Sequence, residues 1–270
     1  MPELPEVETT LRGVSPHLVG HVVRSVIVRE RRLRWPVPDS LSELEGATFV
    51  SGSRRGKYLL FSTACGTLLI HLGMSGSLRV LPPSVPWRKH DHLALYLDSG
   101  KELRFHDPRR FGAVLWLHGD PLKHPLLRDL GPEPLGPDFS GRHLHKLSRG
   151  RASSVKSFIM DSHTVVGVGN IYACESLFMA GIRPTSAAGK IRLPRYERLV
   201  AAIRRALAAP TEMGGTTLRD FLNESGEPGY FKQTLQVYDR EGQPCRVCGT
   251  LIRRIVQTQR STFYCPKCQR

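Results

Sequence analysis

Apolar positions in the first half of the chain predict one helix followed by a series of short strands. Over residues 5–18 they recur with the period of an α-helix, at Val7, Leu11, Val14 and Leu18. Runs rich in apolar and β-branched residues follow, separated by Gly, Pro or Ser, at 21–28, 47–62, 66–73, 91–98 and 103–117. Short strands without intervening helices predict an antiparallel sandwich or barrel.

The pattern changes at residues 131–141, where Pro and Gly mark a linker. Helical periods dominate beyond it, and one helix, which opens at Pro194, has the apolar face Leu199, Ile203, Ala206 and Leu207. Glycines at both ends of 214–231 are typical of a partly mobile loop. We therefore predict an α+β multidomain protein with a sheet domain over 1–130, a helical domain over 131–236 and a cysteine-rich module over 237–270.

The charge balance of the chain favours a polyanionic partner. Its 270 residues include 39 Lys and Arg against 24 Asp and Glu, a formal net charge of +15. Cations that neutralise phosphates release condensed counterions, so this excess suits nucleic acid. A basic protein without such a partner is the alternative. No apolar run approaches the roughly 18 residues of a membrane span. The acidic start, MPELPEVETT, lacks a signal segment, so we expect a cytoplasmic protein.

Two close pairs of cysteines predict a metal site near the C-terminus. Cys245 and Cys248 form one C-x2-C knuckle, and Cys265 and Cys268 form the other. Four thiolates are the tetrahedral set that a structural zinc prefers, and they leave no position open for catalysis. A redox dithiol is the alternative. Three arginines in the loop between the knuckles are expected at the tip of a metal-fixed hairpin: Arg253, Arg254 and Arg260.

The chain start carries a second chemical signal. Removal of the initiator Met1 would give Pro2 a free secondary amine, which can attack an electrophilic sugar carbon and form a cationic imine. The neighbouring Glu3 is a candidate general acid at the sugar ring.

A series of motifs runs through nearly the whole chain: MPELPEVET, RRGKYLL, HLGMSGSLR, KHDH, DPRRFG, VVGVGNIYA, GGTTLRDF, GYF and PCRVCG with TFYCPKCQ. In these motifs and their order the chain resembles the bacterial formamidopyrimidine-DNA glycosylases. The resemblance implies an N-terminal antiparallel β-sandwich with flanking helices, a helix–two-turns–helix domain and a four-cysteine zinc finger with one structural Zn2+. It also implies a monomer that binds duplex DNA, and hence association with the bacterial nucleoid.

The same resemblance assigns catalytic roles to four residues. Pro2 matches the family's Schiff-base nucleophile and Glu3 its proton donor. Lys57, placed in the RRGKYLL strand, matches a lysine that contacts the phosphate beside the lesion and assists elimination. Arg260 matches the finger arginine that grips phosphate and assists the last elimination step. The implied activity is removal of oxidised purines (8-oxoguanine and formamidopyrimidines), followed by β- and δ-elimination at the abasic site.

Further residues match positions that contact DNA. An enzyme that acts on a base inside a duplex must flip the nucleotide out, and the gap must be filled. Met74, Arg109 and Phe111 match the residues that enter this gap, and their side chains suit wedging and hydrogen bonding. Residues 214–231 match the loop that closes over the flipped base. Four more residues match phosphate- or DNA-contacting positions: His90, Arg151, Lys156 and Asn170.

Two other functions stay open at this point. The sister endonuclease VIII type uses the same nucleophile on oxidised pyrimidines. A non-catalytic zinc protein that binds lesions would need the charge and the finger but no nucleophile, and it would bind DNA without nicking it.

Overall fold

The computed structural model describes residues 2–213 and 235–270, with side chains in the first stretch described as far as residue 208. Contacts divide most of these residues into two compact units: 2–128, and 129–210 together with 235–270. None of the helices in the described ranges is both long and apolar enough to cross a membrane.

The N-terminal unit is a β-sandwich. Helix α1 spans Leu4–Leu18 and precedes eight strands, which are β1 Val23–Val28, β2 Ser51–Arg55, β3 Tyr58–Ser62, β4 Thr67–His71, β5 Ser77–Leu81, β6 Asp91–Leu97, β7 Glu102–His106 and β8 Ala113–Leu117. They form two antiparallel four-stranded sheets in the orders β1-β6-β7-β5 and β2-β3-β4-β8. One apolar core contains side chains from α1 and from both sheets. The predicted helix and antiparallel sheets are confirmed.

Two strand predictions need correction. The run 47–62 is a hairpin rather than one strand, because β2 and β3 pair antiparallel on either side of a turn at Gly56 and Lys57. Strand β5 was not predicted as a strand, although Leu78, Val80 and Leu81 are buried in it. Glycines and polar residues just before Ser77 hide its short apolar pattern.

The C-terminal unit is helical and ends in a hairpin. Its helices are α2 Gly141–Ser148, α3 Val155–Met160, α4 Asn170–Met179 and α5 Leu193–Met213, and its strands are β9 Arg253–Gln257 and β10 Arg260–Tyr264. Hydroxyl caps set the starts of α2 and α3, where Ser140 and Ser154 accept hydrogen bonds from backbone N–H groups. The predicted helix at Pro194 and the hairpin between the cysteine pairs are therefore both present.

Candidate functional site

The start of helix α1 presents Pro2 beside a buried carboxyl group. Glu3 caps the helix and is only 2% exposed, and its backbone N–H donates to Glu6 Oε2 at 2.8 Å. Pro2 is half-buried directly before it. Glu3 is thus held at the cap of a packed helix, directly after Pro2 in the chain.

Lys57 lies in the turn of the β2–β3 hairpin, not in a strand as predicted. Gly56 before it has φ +57°, and a two-residue turn with glycine in this conformation at its first position is typical of type II′. Arg54 secures the turn, because its Nη1 donates to the Gly56 carbonyl at 2.8 Å and its Nε to Glu8 of α1 at 3.0 Å. The lysine is thus placed on a short loop tied to the helix that begins beside Pro2.

His71, which we did not single out from the sequence, lies close to Lys57 at the end of β4. Its ring packs against Tyr58, with centroids 4.7 Å apart. Burial, together with the nearby charges of Lys57 and Arg34, lowers the pKa of His71 to about 4. Its Nδ1 accepts the Gly73 N–H at 3.1 Å, which requires the proton of the neutral ring to be on Nε2. A neutral imidazole therefore links the Lys57 turn to the Gly73 loop.

Two neighbouring loops carry the three predicted gap-filling residues. Met74 is 40% exposed and Phe111 43% exposed, and the Arg109 guanidinium stacks on the Phe111 ring at 4.8 Å. The loops touch at Gly73, where a Cβ atom would lie 2.4 Å from the Phe111 carbonyl carbon. Exposed apolar side chains of this size are suited to insertion between bases.

The buried carboxylate of Asp107 organises these loops. Its Oδ2 accepts the Gly112 N–H at 2.8 Å, and its Oδ1 accepts the Ser75 hydroxyl at 2.6 Å. Ser75 Oγ in turn accepts the Arg109 N–H at 3.2 Å. Asp107 was not singled out from the sequence, although an Asp-Pro pair before a polar run is a turn signal.

His90 is half-buried beside two other histidines. Its ring lies 6.3 Å from that of His92 and 6.0 Å from that of His106. Desolvation lowers the pKa of His90, and the charges of Lys89 and His106 lower it further. Its carbonyl accepts the Asp107 N–H at 3.0 Å, so the His90 segment is connected to the gap-filling loops.

In the C-terminal unit, the predicted DNA-contacting residue Lys156 is buried. It is 2% exposed, and Nζ donates to Asn170 Oδ1 at 2.6 Å and to Thr262 Oγ1 at 2.6 Å. The ammonium group therefore makes these hydrogen bonds inside the protein. Asn170 is the first residue of α4, where the positive end of the helix dipole favours a phosphate.

Arg260 is exposed at the tip of the β9–β10 hairpin, as predicted, whereas Arg253 and Arg254, predicted at the same tip, pair with Tyr264 and Phe263 at the opposite end of the hairpin. The two turn residues before it, Thr258 and Gln259, both have positive φ angles, of 45° and 61°, which is the pattern of a type I′ turn. A β-branched residue rarely adopts this conformation. The arginine thus follows directly after a tightly defined turn.

The four predicted zinc ligands lie together. Their sulfur atoms are all within 4.8 Å of one another, with Cys245 Sγ 3.9 Å from Cys268 Sγ and Cys248 Sγ 3.5 Å from Cys265 Sγ. A zinc–sulfur bond of about 2.3 Å in a tetrahedron requires sulfurs about 3.8 Å apart. The cluster therefore fits one structural Zn2+, which would hold the two ends of the finger together.

The finger also rests on helix α4. Glu175 of this helix is buried, and its two carboxylate oxygens accept backbone N–H groups of three consecutive residues at 2.9–3.0 Å: Gln236, Val237 and Tyr238. An isolated glutamate in a helical pattern gave no signal for this role.

Two remaining predictions stand apart from these clusters. Arg151 is exposed, and its guanidinium donates to the Leu147 carbonyl at 3.0 Å and lies 5.6 Å from the centre of the Phe158 ring. The predicted lesion-capping loop, 214–231, lies outside the described residues.

Comparison with protein families accounts for most of the chain. Residues 1–114 match the formamidopyrimidine-DNA glycosylase N-terminal domain, 130–222 the H2TH domain of the same enzymes, and 242–270 a zinc finger found in FPG and IleRS. The chain belongs to the formamidopyrimidine-DNA glycosylase family. Two relatives with this name, from Methylococcus capsulatus and Alcanivorax borkumensis, are 61% and 60% identical, and each match covers all of both chains.

Solved structures agree with this family. The MutM (FPG) protein of Thermus thermophilus is 38% identical, with a TM-score of 0.86 over 99% of this chain and 98% of its own. A Lactococcus lactis FPG mutant, G226P, in complex with DNA containing Fapy-dG is 32% identical, with a TM-score of 0.91 over all of both chains. The sandwich, the helix–two-turns–helix domain and the zinc finger expected from the sequence are confirmed as family features.

Proposed function

We propose that this protein is a bifunctional DNA glycosylase and abasic-site lyase that removes oxidised purines, among them 8-oxoguanine and formamidopyrimidines. The observation that carries the proposal is Pro2 next to the buried, helix-capping Glu3 in a chain of this family. The net charge of +15 supports duplex DNA as the partner. A monomer bound to the bacterial nucleoid accords with such a partner.

The chemistry would begin once Met1 has been removed. The Pro2 nitrogen attacks C1′ of the flipped nucleotide, and the base leaves with the electron pair of the glycosidic bond and takes up the proton that the Pro2 nitrogen loses. Glu3 delivers a proton to the sugar ring oxygen as the C1′–O bond opens, which leaves an iminium between Pro2 and C1′. Loss of a proton from C2′ then expels the 3′ phosphate, and loss of one from C4′ expels the 5′ phosphate.

Phosphate contacts would hold the substrate for these steps. Lys57 is assigned to the phosphate beside the lesion, and its hairpin turn is tied to α1 through Arg54. Arg260 is assigned to a phosphate and to the last elimination, in line with its exposed place after a tight turn. His90, Arg151 and Asn170 are further proposed contacts. A zinc ion would stabilise the hairpin that carries Arg260, because two of its ligands precede the hairpin in sequence and two follow it.

Flipping a nucleotide costs a few kcal/mol, and the enzyme must replace the lost stacking. We assign this to Met74 and Phe111, which are exposed large apolar side chains on touching loops. Arg109, stacked on Phe111, is assigned to the unpaired partner base, to which an arginine can donate two hydrogen bonds.

Borohydride trapping tests the proposal. The iminium is reduced to a stable amine, so wild-type protein is expected to form a covalent complex with an 8-oxoguanine duplex, and Pro2→Gly is expected to lose most of it. Intact-mass measurement should show that the active material lacks Met1. Undiminished trapping by Pro2→Gly would refute the nucleophile. Preference for a thymine-glycol duplex would favour the endonuclease VIII activity, and binding without nicking would favour a non-catalytic lesion-binding protein.

A further inference from the structure

The ammonium group of Lys156 connects three parts of the C-terminal unit. It donates to Asn170 Oδ1 at 2.6 Å, to Thr262 Oγ1 at 2.6 Å and to the Ser261 carbonyl at 3.2 Å. These acceptors match the three N–H donors of a lysine. Lys156 itself is on α3, Asn170 begins α4, and the other two residues belong to β10. One buried side chain thus joins two helices to the finger hairpin.

The bond to Asn170 fixes the orientation of its amide. A lysine ammonium can only donate, so the atom that faces it must be the oxygen. The nitrogen, Nδ2, then donates one hydrogen to the Ser261 carbonyl at 3.0 Å. Among the described residues no acceptor takes the second hydrogen, which leaves one donor of Asn170 for a ligand at the start of α4.

The other two bonds fix the beginning of β10. Ser261 and Thr262 directly follow Arg260, the exposed arginine at the tip of the hairpin. Thr262 is fully buried, so its hydroxyl cannot bond to water and depends on partners inside the protein such as the Lys156 ammonium. The same side chain therefore orients Asn170 and holds the strand that carries Arg260.

We propose that Lys156 is a positioning residue for phosphate binding, which acts through Asn170 and Arg260 and does not touch DNA itself. This inference rests on the proposed function of those two residues as phosphate contacts. Donors held in place before binding lose less freedom on binding, so affinity depends on what holds them. Without the ammonium, Asn170 Oδ1 and Thr262 Oγ1 lose this donor, and the Asn170 amide is no longer held in one orientation.

A double-mutant cycle tests the proposal, with binding to a duplex that contains a tetrahydrofuran abasic-site analogue as the measurement. Lys156→Met, which is close in shape but uncharged, is expected to weaken binding by about tenfold to a hundredfold. In an Asn170→Ala background, the loss of affinity caused by Lys156→Met should be smaller by a factor of at least about three, because part of the effect of Lys156 is exerted through Asn170. The exposed Lys123→Met is the matched control and should bind like wild type.

The salt dependence separates positioning from direct contact. Each phosphate contacted by a cation contributes about 0.9 to the slope of log K against log salt concentration. In an Arg260→Gln background, where any phosphate contact of Arg260 is already absent, Lys156→Met should leave this slope within a few tenths of the value for Arg260→Gln alone. A slope reduced by about 0.9, additive effects in the cycle, or unchanged binding would each overturn the proposal.

A second variant covers the case in which Lys156→Met does not fold. Thr262→Val keeps the ammonium and removes one of its acceptors, and in the Arg260→Gln background it should weaken binding without changing the slope. The outcome is also distinguishable from failure of the proposed function. If wild-type protein binds the duplex but forms no borohydride-trapped complex, the lyase activity is refuted, while the binding cycle still decides the role of Lys156.

Discussion

Ser75 and Asp107 join the two loops that carry Met74, Arg109 and Phe111, because the Ser75 hydroxyl donates to Asp107 Oδ1 at 2.6 Å. The carboxylate is fully buried, so its hydrogen bonds are shielded from water. The two loops whose residues are proposed to enter the DNA are thus connected through the hydrogen bonds of one buried carboxylate.

Replacing Asp107 with Asn should therefore loosen both loops. An amide keeps one acceptor oxygen, so either the Gly112 N–H or the Ser75 hydroxyl loses its partner, at a cost of about 1–3 kcal/mol. We expect a lower free energy of unfolding and weaker binding to an abasic-analogue duplex. Denaturant titration and fluorescence anisotropy measure the two effects. The exposed Asp138→Asn is the control, and an unchanged free energy of unfolding would contradict this role of Asp107.

His71 should remain neutral well below the pH at which a free histidine titrates. Its pKa is lowered to about 4, by burial and by the charges of Lys57 and Arg34. In two-dimensional NMR the ring should show the Nε2–H tautomer at pH 6 and titrate with a midpoint near pH 4. A midpoint near 6.5 would contradict the buried environment.

This shift also predicts how stability depends on pH. Between pH 6.5 and about 4 the unfolded chain binds a proton at His71 and the folded protein does not. The free energy of unfolding should therefore fall as the pH is lowered through this window. A His71→Gln variant should lose less stability than wild type between pH 7 and pH 5, as measured by urea denaturation at both values.

The zinc cluster, helix α1 and the antiparallel strands were predictable from local patterns. Cysteine spacing specifies four ligands regardless of the fold around them, and apolar periodicity specifies which faces are buried. Lys57 was misplaced because a run such as RRGKYLL fits a continuous strand, and only the pairing of Arg55 with Tyr58 reveals the turn.

The supporting residues could not be predicted because their partners are distant in sequence. Lys156 meets Thr262 across 106 positions and Glu175 meets Val237 across 62. In the sequence these are ordinary charged residues on helices, and surface positions are the usual place for them. Their burial follows from packing between elements, which no local pattern contains.

Removing zinc should disorder the finger and leave the sandwich folded. The finger's cysteines, Ile252 and Phe263 pack in one small core with Val237, Tyr238 and the α4 side chains Cys174 and Phe178. Among the described residues, the sandwich core contains none from the finger. Metal binding at such sites contributes directly to folding. A chelator with a thiol reagent should release about one zinc per chain, abolish amide protection in β9 and β10, and preserve it in β3 and β4. Retention of finger protection after zinc release would contradict a structural metal.

Glu175 should be essential for attachment of the finger to helix α4, because its carboxylate accepts the N–H groups of Gln236, Val237 and Tyr238. Glu175→Gln keeps the shape but leaves a single acceptor oxygen and places an amide N–H2 against backbone donors. A hydrogen bond to a charged group contributes about 1.5–3 kcal/mol, so amides 236–238 should exchange at least about tenfold faster.

Hydrogen exchange measured by mass spectrometry can resolve this segment. The exposed Glu197→Gln is the matched control and should leave its exchange unchanged. Glu175 contacts only residues 236–238, which precede the finger, so the variant should still bind about one zinc per chain. If the variant loses the zinc as well as amide protection at 236–238, the carboxylate is needed for the finger to fold.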